Sequence, residues 1–108
     1  CANIKLLEKT HNNRIKNLPI SIGDLKKLEE LSLINNEIEI LPEEMCNLGN
    51  LQELNLQDNF ISTIPNKFKK LRDLSYLDLS GTNKITEANQ ASIEKLLPNT
   101  FISFPYDM

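Results

Sequence analysis

The sequence predicts a short α/β solenoid: an arc of stacked units whose concave face is a parallel β-sheet, with a cap at each end. Three observations predict it. Pro19, Pro42 and Pro65 recur at a fixed interval of 23 residues and carry their neighbours with them, the mark of a repeat architecture. Counts of 18 Leu, 12 Ile, no Val, 14 Asn and 3 Gly exceed what ordinary sheets or helical bundles require, so Leu and Asn each recur for a positional reason. Finally, 108 residues at 40% hydrophobic and 25% charged make one compact domain and too little chain for two, which excludes a multidomain enzyme.

The register fixes each element. Asn13, Asn36 and Asn59 share the period, as do Ile15, Ile38 and Ile61; Leu18, Leu41 and Ile64; Ile22, Met45 and Phe68; and Leu25, Leu48 and Leu71. Leu28, Leu51, Leu74 and Leu97 open the units, followed by Leu31, Leu54, Leu77 and then Leu33, Leu56, Leu79. The consensus is LxxLxLxxNxIxxLPxxIxxLxx. Its LxLxx segment, with apolar residues two apart, is a short strand with an apolar inward side, and repetition stacks such strands in parallel. Each Asn sits where the chain leaves the strand, and its amide can both donate to and accept from neighbouring turns. Asn13, Asn36 and Asn59 are therefore expected to form a structural ladder. The prolines fix φ as the chain turns back along the convex side.

These columns divide the chain into residues 1–10 as an N-terminal cap, 11–27 as a partial first repeat, 28–50 and 51–73 as full repeats, 74–97 as an atypical fourth repeat, and 98–108 as a capping strand and tail. In the first unit Glu8 and Thr10 stand where Leu belongs, so no clear strand is predicted there. Residues 2–9, with Ile4, Leu6 and Leu7, read as a capping turn or helix. The fourth unit slips by one residue, leaving either Thr82 or Asn83 for the ladder position. Thr86 then reads as the N-cap of a helix running to about Leu97, ended by Pro98. A last strand over residues 100–104, with Ile102 aligned to Leu79, covers the end of the sheet.

Nine matched columns over residues 11–104 resemble the leucine-rich repeat family, in the 23-residue form with a Leu-Pro pair that is common in bacterial repeat proteins and in some intracellular signalling scaffolds. The Leu97-Pro98-Asn99 close is similar to the final caps of such proteins and implies a complete C-terminus. The family resemblance implies a scaffold on which unrelated functions are carried.

Charge and cysteine content narrow the chemistry. A net charge of −3, from 12 Lys and Arg against 15 Asp and Glu, gives no footprint for nucleic acid. No apolar run approaches the roughly 18 residues that span a bilayer, and the chain as given reads as soluble. Cys1 and Cys46 are too few for a disulfide framework. Cys1-Ala2-Asn3 fits either the terminus left by bacterial lipoprotein processing or an arbitrary start in a longer chain. His11, the only histidine, aligns with the concave side and Cys46 with the convex, whereas a Cys and His pair needs contact within about 3.2 Å. One His and no CxxC leave carboxylates as the only metal-ligand candidates, with Glu30 and Glu53 about 4.8 Å apart on adjacent strands. Two solvated glutamates are the default reading. No phosphate loop or nucleophilic Ser motif occurs. No cofactor, metal or catalytic residue is expected. Lys67, Lys69, Lys70 and Arg72 read first as a solvated convex face and second as a contact for anionic lipid or a polyanion.

The outward sheet positions remain: Leu7, Glu30, Glu53 and Tyr76 in one column, Lys9, Ser32, Asn55 and Asp78 in the next, and His11, Ile34, Gln57 and Ser80 in the third. Ile34 and Tyr76, with Phe60 just past the ladder, are apolar groups on a polar background, as at interaction hot spots. The expected function is non-catalytic protein binding through Glu30, Ser32, Ile34, Glu53, Asn55, Gln57, Asp58, Phe60, Tyr76 and Asp78. The carboxylates favour a locally basic partner. The alternative is a lipid-anchored envelope or adhesion protein, touching membrane only through a lipid on Cys1.

Overall fold

The structure, a computed structural model, describes Leu6–Leu7 and residues 14–105. Five parallel strands form one open sheet in sequence order: β1 (Leu6–Leu7), β2 (Glu30–Ser32), β3 (Glu53–Asn55), β4 (Tyr76–Asp78) and β5 (Phe101–Ser103). The register follows the repeat: Leu31 pairs with Leu54, Leu54 with Leu77, and Leu77 with Ile102. On the convex side the chain returns through three 3₁₀ turns, Ile20–Asp24, Glu43–Asn47 and Asn66–Lys70. Pro19, Pro42 and Pro65 each sit just before a turn with φ of −68°, −71° and −62°, the value their rings impose. Each proline carbonyl accepts from the amide three residues on, at 3.1, 3.1 and 3.0 Å. Those amides belong to Ile22, Met45 and Phe68, whose side chains turn inward and are buried.

Strand and return close one apolar core. Leu28, Leu33, Ile38, Leu48, Leu51, Leu54, Leu56, Ile61 and Phe68 are fully buried, each gaining about 1.5–3 kcal/mol from leaving water. In the fourth unit α1 (Glu87–Leu96) replaces the 3₁₀ turn and packs on the third turn. The Thr86 hydroxyl caps it by accepting from the Asn89 amide at 3.2 Å. Ile93 is the helix's buried residue.

Asparagine stitches the strand exits together. Asn36 Oδ1 accepts from the Ile15 amide at 3.0 Å, Asn59 Oδ1 from Ile38 at 3.1 Å, and Asn83 Oδ1 from Ile61 at 2.8 Å. Each Nδ2 donates to the carbonyl closing its own strand: Leu33, Leu56 and Leu79 at 3.0, 3.1 and 3.1 Å. Asn59 and Asn83 also reach back one unit, to the Leu33 and Leu56 carbonyls at 2.9 and 2.8 Å. Asn83 thus holds the ladder position in the fourth unit, and the neighbouring Thr82 hydroxyl donates to the Asn59 carbonyl at 2.7 Å. Asn35, Asp58 and Gly81 form a further column with positive φ of 59°, 60° and 89°. Asn, Asp and Gly are the residues that enter this left-handed region at least cost.

Two expectations are corrected. Leu6–Leu7 is a strand rather than a capping turn or helix, and Leu6, not Leu7, pairs with Glu30 while Leu7 pairs with Leu31. The first unit is one residue longer than the consensus, which brings a leucine rather than Glu8 into the Leu31 column. At the other end Ile102 pairs with Leu77 rather than Leu79. The Thr100 hydroxyl donates to the Leu74 carbonyl at 2.8 Å and the Phe101 amide to Ser75 at 2.9 Å, which sets that register and buries Phe104. The expectations for Cys1, Lys9, His11 and Asn13, and for the rest of the N-terminal cap, lie outside the described residues.

Candidate functional site

Because the inward residues of β2–β5 are committed to the core, the outward residues of the same strands form three columns with different roles. The first runs Glu30, Glu53, Tyr76, Phe101 across four paired strands. Glu30, Glu53 and Phe101 are exposed and Tyr76 half-buried. Neither glutamate enters an ion pair among the described residues. Tyr76 and Phe101 stack with centroids 5.8 Å apart and planes within 9°, an offset arrangement that aromatic rings favour. Phe101 nevertheless keeps 67% of its surface in solvent.

The second column turns its polar atoms back on the scaffold. Asn55 Oδ1 accepts from the Gln57 amide at 3.0 Å. Asp78 Oδ1 accepts from the Ser80 amide at 2.9 Å and its hydroxyl at 2.6 Å, while Oδ2 accepts from the Tyr76 hydroxyl at 3.0 Å. Asp78 is only 8% exposed, so it lies beneath Tyr76 instead of at a solvated rim. This arrangement raises the Tyr76 phenol above its ordinary value, first through burial, then through the hydrogen bond to Asp78 and the charges of Asp78 and Glu53. Ser32 is half-buried in the same column. In the third column Ile34, Gln57 and Ser80 are all half-buried.

Phe60 and Asp58 lie on the loop edge where the strands exit. With Arg14, Asn36, Glu37 and Thr82 they line a shallow cavity of about 360 Å³. The Lys84 ammonium stands 5.5 Å from the Phe60 ring centroid, a cation–π contact that partly covers this expected anchor. The strands thus bring Glu30, Glu53 and Tyr76 into one row and leave Phe60 apart from it. Phe101 was not among the residues singled out from sequence. Aligning Ile102 with Leu79 instead of Leu77 hid its pairing with Tyr76.

Elsewhere, Cys46 is a free, half-buried thiol in the second convex turn, 3.8 Å from Asn47 Oδ1. Lys69, Arg72 and Lys95 line a convex cavity of about 480 Å³ with Leu74, Leu96 and Pro98. Among the described residues no three His, Cys, Asp or Glu side chains stand together to hold a metal, and no helix is long and apolar enough to cross a membrane.

The fold and face define a class: an open repeat solenoid with a parallel sheet presenting one continuous surface. Family profiles of leucine-rich repeats match residues 10–59 and, in a two-copy form, residues 49–96. The chain belongs to the leucine-rich repeat family. Among solved structures, a leucine-rich repeat protein of Leptospira interrogans is 41% identical over 84% of this chain, with a TM-score of 0.81. The structure of TLR13 in complex with ssRNA13 is 28% identical over 75% of the chain, with a TM-score of 0.64. An internalin of Listeria monocytogenes, 21% identical over 84% of the chain with a TM-score of 0.52, shares the fold. The chain spans 23%, 12% and 31% of the lengths of these three proteins. No curated protein gives a significant match.

Proposed function

We propose that the chain is a non-catalytic module that binds a partner protein through the outward face of its sheet. The observation that carries this reading is the first column: Glu30, Glu53, Tyr76 and Phe101 stand side by side on four strands, with Glu30, Glu53 and Phe101 exposed and Tyr76 half-buried. The family is typically non-catalytic and its fold suggests protein–protein interaction. The carboxylates favour a locally basic partner. Lys, Arg and His are absent from the outward positions of β2–β5, which supports a protein over the nucleic acid bound in the TLR13 complex. Glu30, Glu53 and Tyr76 make the main contacts, Ser32, Ile34 and Gln57 extend them, and Asn55 and Asp78 hold the face in shape. Asp58 and Phe60 form the edge.

The test is affinity capture with the whole chain, identification of the retained protein, and binding measurements with variants. Glu53→Lys and Tyr76→Ala should reduce binding, Lys69→Glu on the convex side should not, and added salt should weaken the interaction. If Lys69→Glu abolished binding while the concave pair did not, the partner would be reading the basic convex turns and this assignment would fail.

A further inference from the structure

We propose that Glu53, Tyr76 and Phe101 form a subsite for an arginine side chain of the partner protein, a refinement that rests on the concave-face reading above. Four features lead to it. First, Tyr76 and Phe101 stack with nearly parallel planes, so Phe101, itself 67% exposed, backs one face of the Tyr76 ring and leaves the other on the side of β3, where Glu53 stands. Among the described residues Ile20 and Ile40 are the other large apolar side chains so exposed, and neither belongs to a strand of the sheet. Second, the Tyr76 ring is held in place by its hydroxyl's hydrogen bond to Asp78. Donation to a carboxylate enriches the ring in electron density, which strengthens its attraction for a cation. Third, Glu53 pairs directly with Tyr76 across β3 and β4, at the roughly 4.8 Å spacing of neighbouring strands. Glu30 continues the row one strand further. Fourth, these two glutamates have no counter-charge among the described ion pairs, so a cation laid along the row relieves their mutual repulsion.

The shape of the row selects among cations. A divalent metal needs several oxygen ligands converging on one point, and the described residues provide no such cluster. A lysine ammonium is compact and strongly hydrated. Arginine is planar, less hydrated, stacks on aromatic faces and pairs bidentately with a carboxylate. A guanidinium stacked on the face of Tyr76 opposite Phe101 lies between that ring and the Glu53 carboxylate. The row is open on a sheet face, which suits a side chain delivered by a protein chain.

The experiment is an NMR titration of the whole chain with the capped peptide Gly-Gly-Arg-Gly-Gly, alongside versions carrying lysine or citrulline in place of arginine. Citrulline keeps the size of arginine and removes the charge. The arginine peptide should give saturable shifts centred on Tyr76, Phe101 and Glu53 that diminish with salt, while the citrulline peptide gives none. Phe101→Ala and Glu53→Gln should each weaken the response about two- to fivefold, as expected of exposed cation–π and ion-pair contacts. An equal response to lysine, shifts centred elsewhere, or an arginine response unchanged by Phe101→Ala would overturn the assignment. Failure of the broader reading looks different: the captured partner would still bind the Glu53→Lys and Tyr76→Ala variants. Loss of partner binding in those variants with no arginine response would leave the face assigned and this subsite refuted.

Discussion

Replacing Asn59 by leucine probes what holds the repeats in register. Asn59 is wholly buried, so leucine keeps apolar bulk while removing both functions of the amide. The Ile38 amide, which donates to Oδ1 at 3.1 Å, is left buried without a partner, at about 1–3 kcal/mol. The Leu33 and Leu56 carbonyls lose one donor each but keep another, Asn36 Nδ2 at 3.0 Å and Asn83 Nδ2 at 2.8 Å, so each loses about 0.5–1 kcal/mol. The sum is about 2–5 kcal/mol, or a fall of roughly 10–25 °C in Tm for a domain of this size. Asn36→Leu should cost less, because the amide it strands is that of Ile15, which is only half-buried. Urea unfolding followed by circular dichroism measures both. A cost below about 0.5 kcal/mol for Asn59→Leu, the ordinary range of surface substitutions, or the reverse order of the two variants, would refute the ladder argument.

Gly81→Ala should destabilise the chain by about 1–3 kcal/mol, because its φ of 89° is costly for alanine and the new methyl would fall on Asp58. Gly49→Ala is the matched control: nothing lies within 4 Å of a methyl there, and its stability should stay within about 0.5 kcal/mol of the parent. The same urea titrations compare them. Tyr76 should ionise above its ordinary value of 10.0. The raised value favours the neutral phenol, so its contribution to stability is complete below pH 10 and lost as pH rises through the folded-state value. In a Tyr106→Phe background, which leaves Tyr76 as the single phenol, phenolate absorbance should show Asp78→Asn moving the titration down. An unchanged titration would mean that Asp78 does not act on the ring.

Legibility followed periodicity. The inward columns, the ladder and the proline turns repeat at 23 residues, so two full units define each position twice. The ends were harder to read because each departs from the period by insertion. An extra residue in the first unit moves Leu7 into the Leu31 column. In the fourth unit Asn83 keeps the ladder and Thr82 is absorbed in the turn, an outcome decided by hydrogen bonds between units rather than by pattern. The register of β5 depends on Thr100 and Phe101 bonding to Leu74 and Ser75, contacts more than 20 residues away in sequence that no local motif announces. That register is what brought Phe101 beside Tyr76. The column Asn35, Asp58, Gly81 was readable in principle, since all three residue types tolerate positive φ, but residue types so different do not look like a repeat.

The division of labour among the outward columns explains why the face can carry specificity without weakening the scaffold. Side chains in the second column close onto the backbone two residues on: Asn55 onto Gln57, Asp78 onto Ser80. Substitution there disturbs the strand exit as well as the surface. The first column has no such duty at Glu30 and Glu53, where the carboxylates project from the strand without an ion pair among the described residues. Its residues change from acidic to aromatic along the sheet while the inward leucines beneath them remain leucine or isoleucine. A surface that varies over a constant core is free to match a partner, because each change alters the exposed chemistry and leaves the buried contacts as they were. Tyr76 is the exception that ties the two columns together. By donating to Asp78 it satisfies a carboxylate that is otherwise nearly buried, so Tyr76→Phe should disturb Asp78 and the Ser80 turn, whereas Phe101→Ala should alter the face alone.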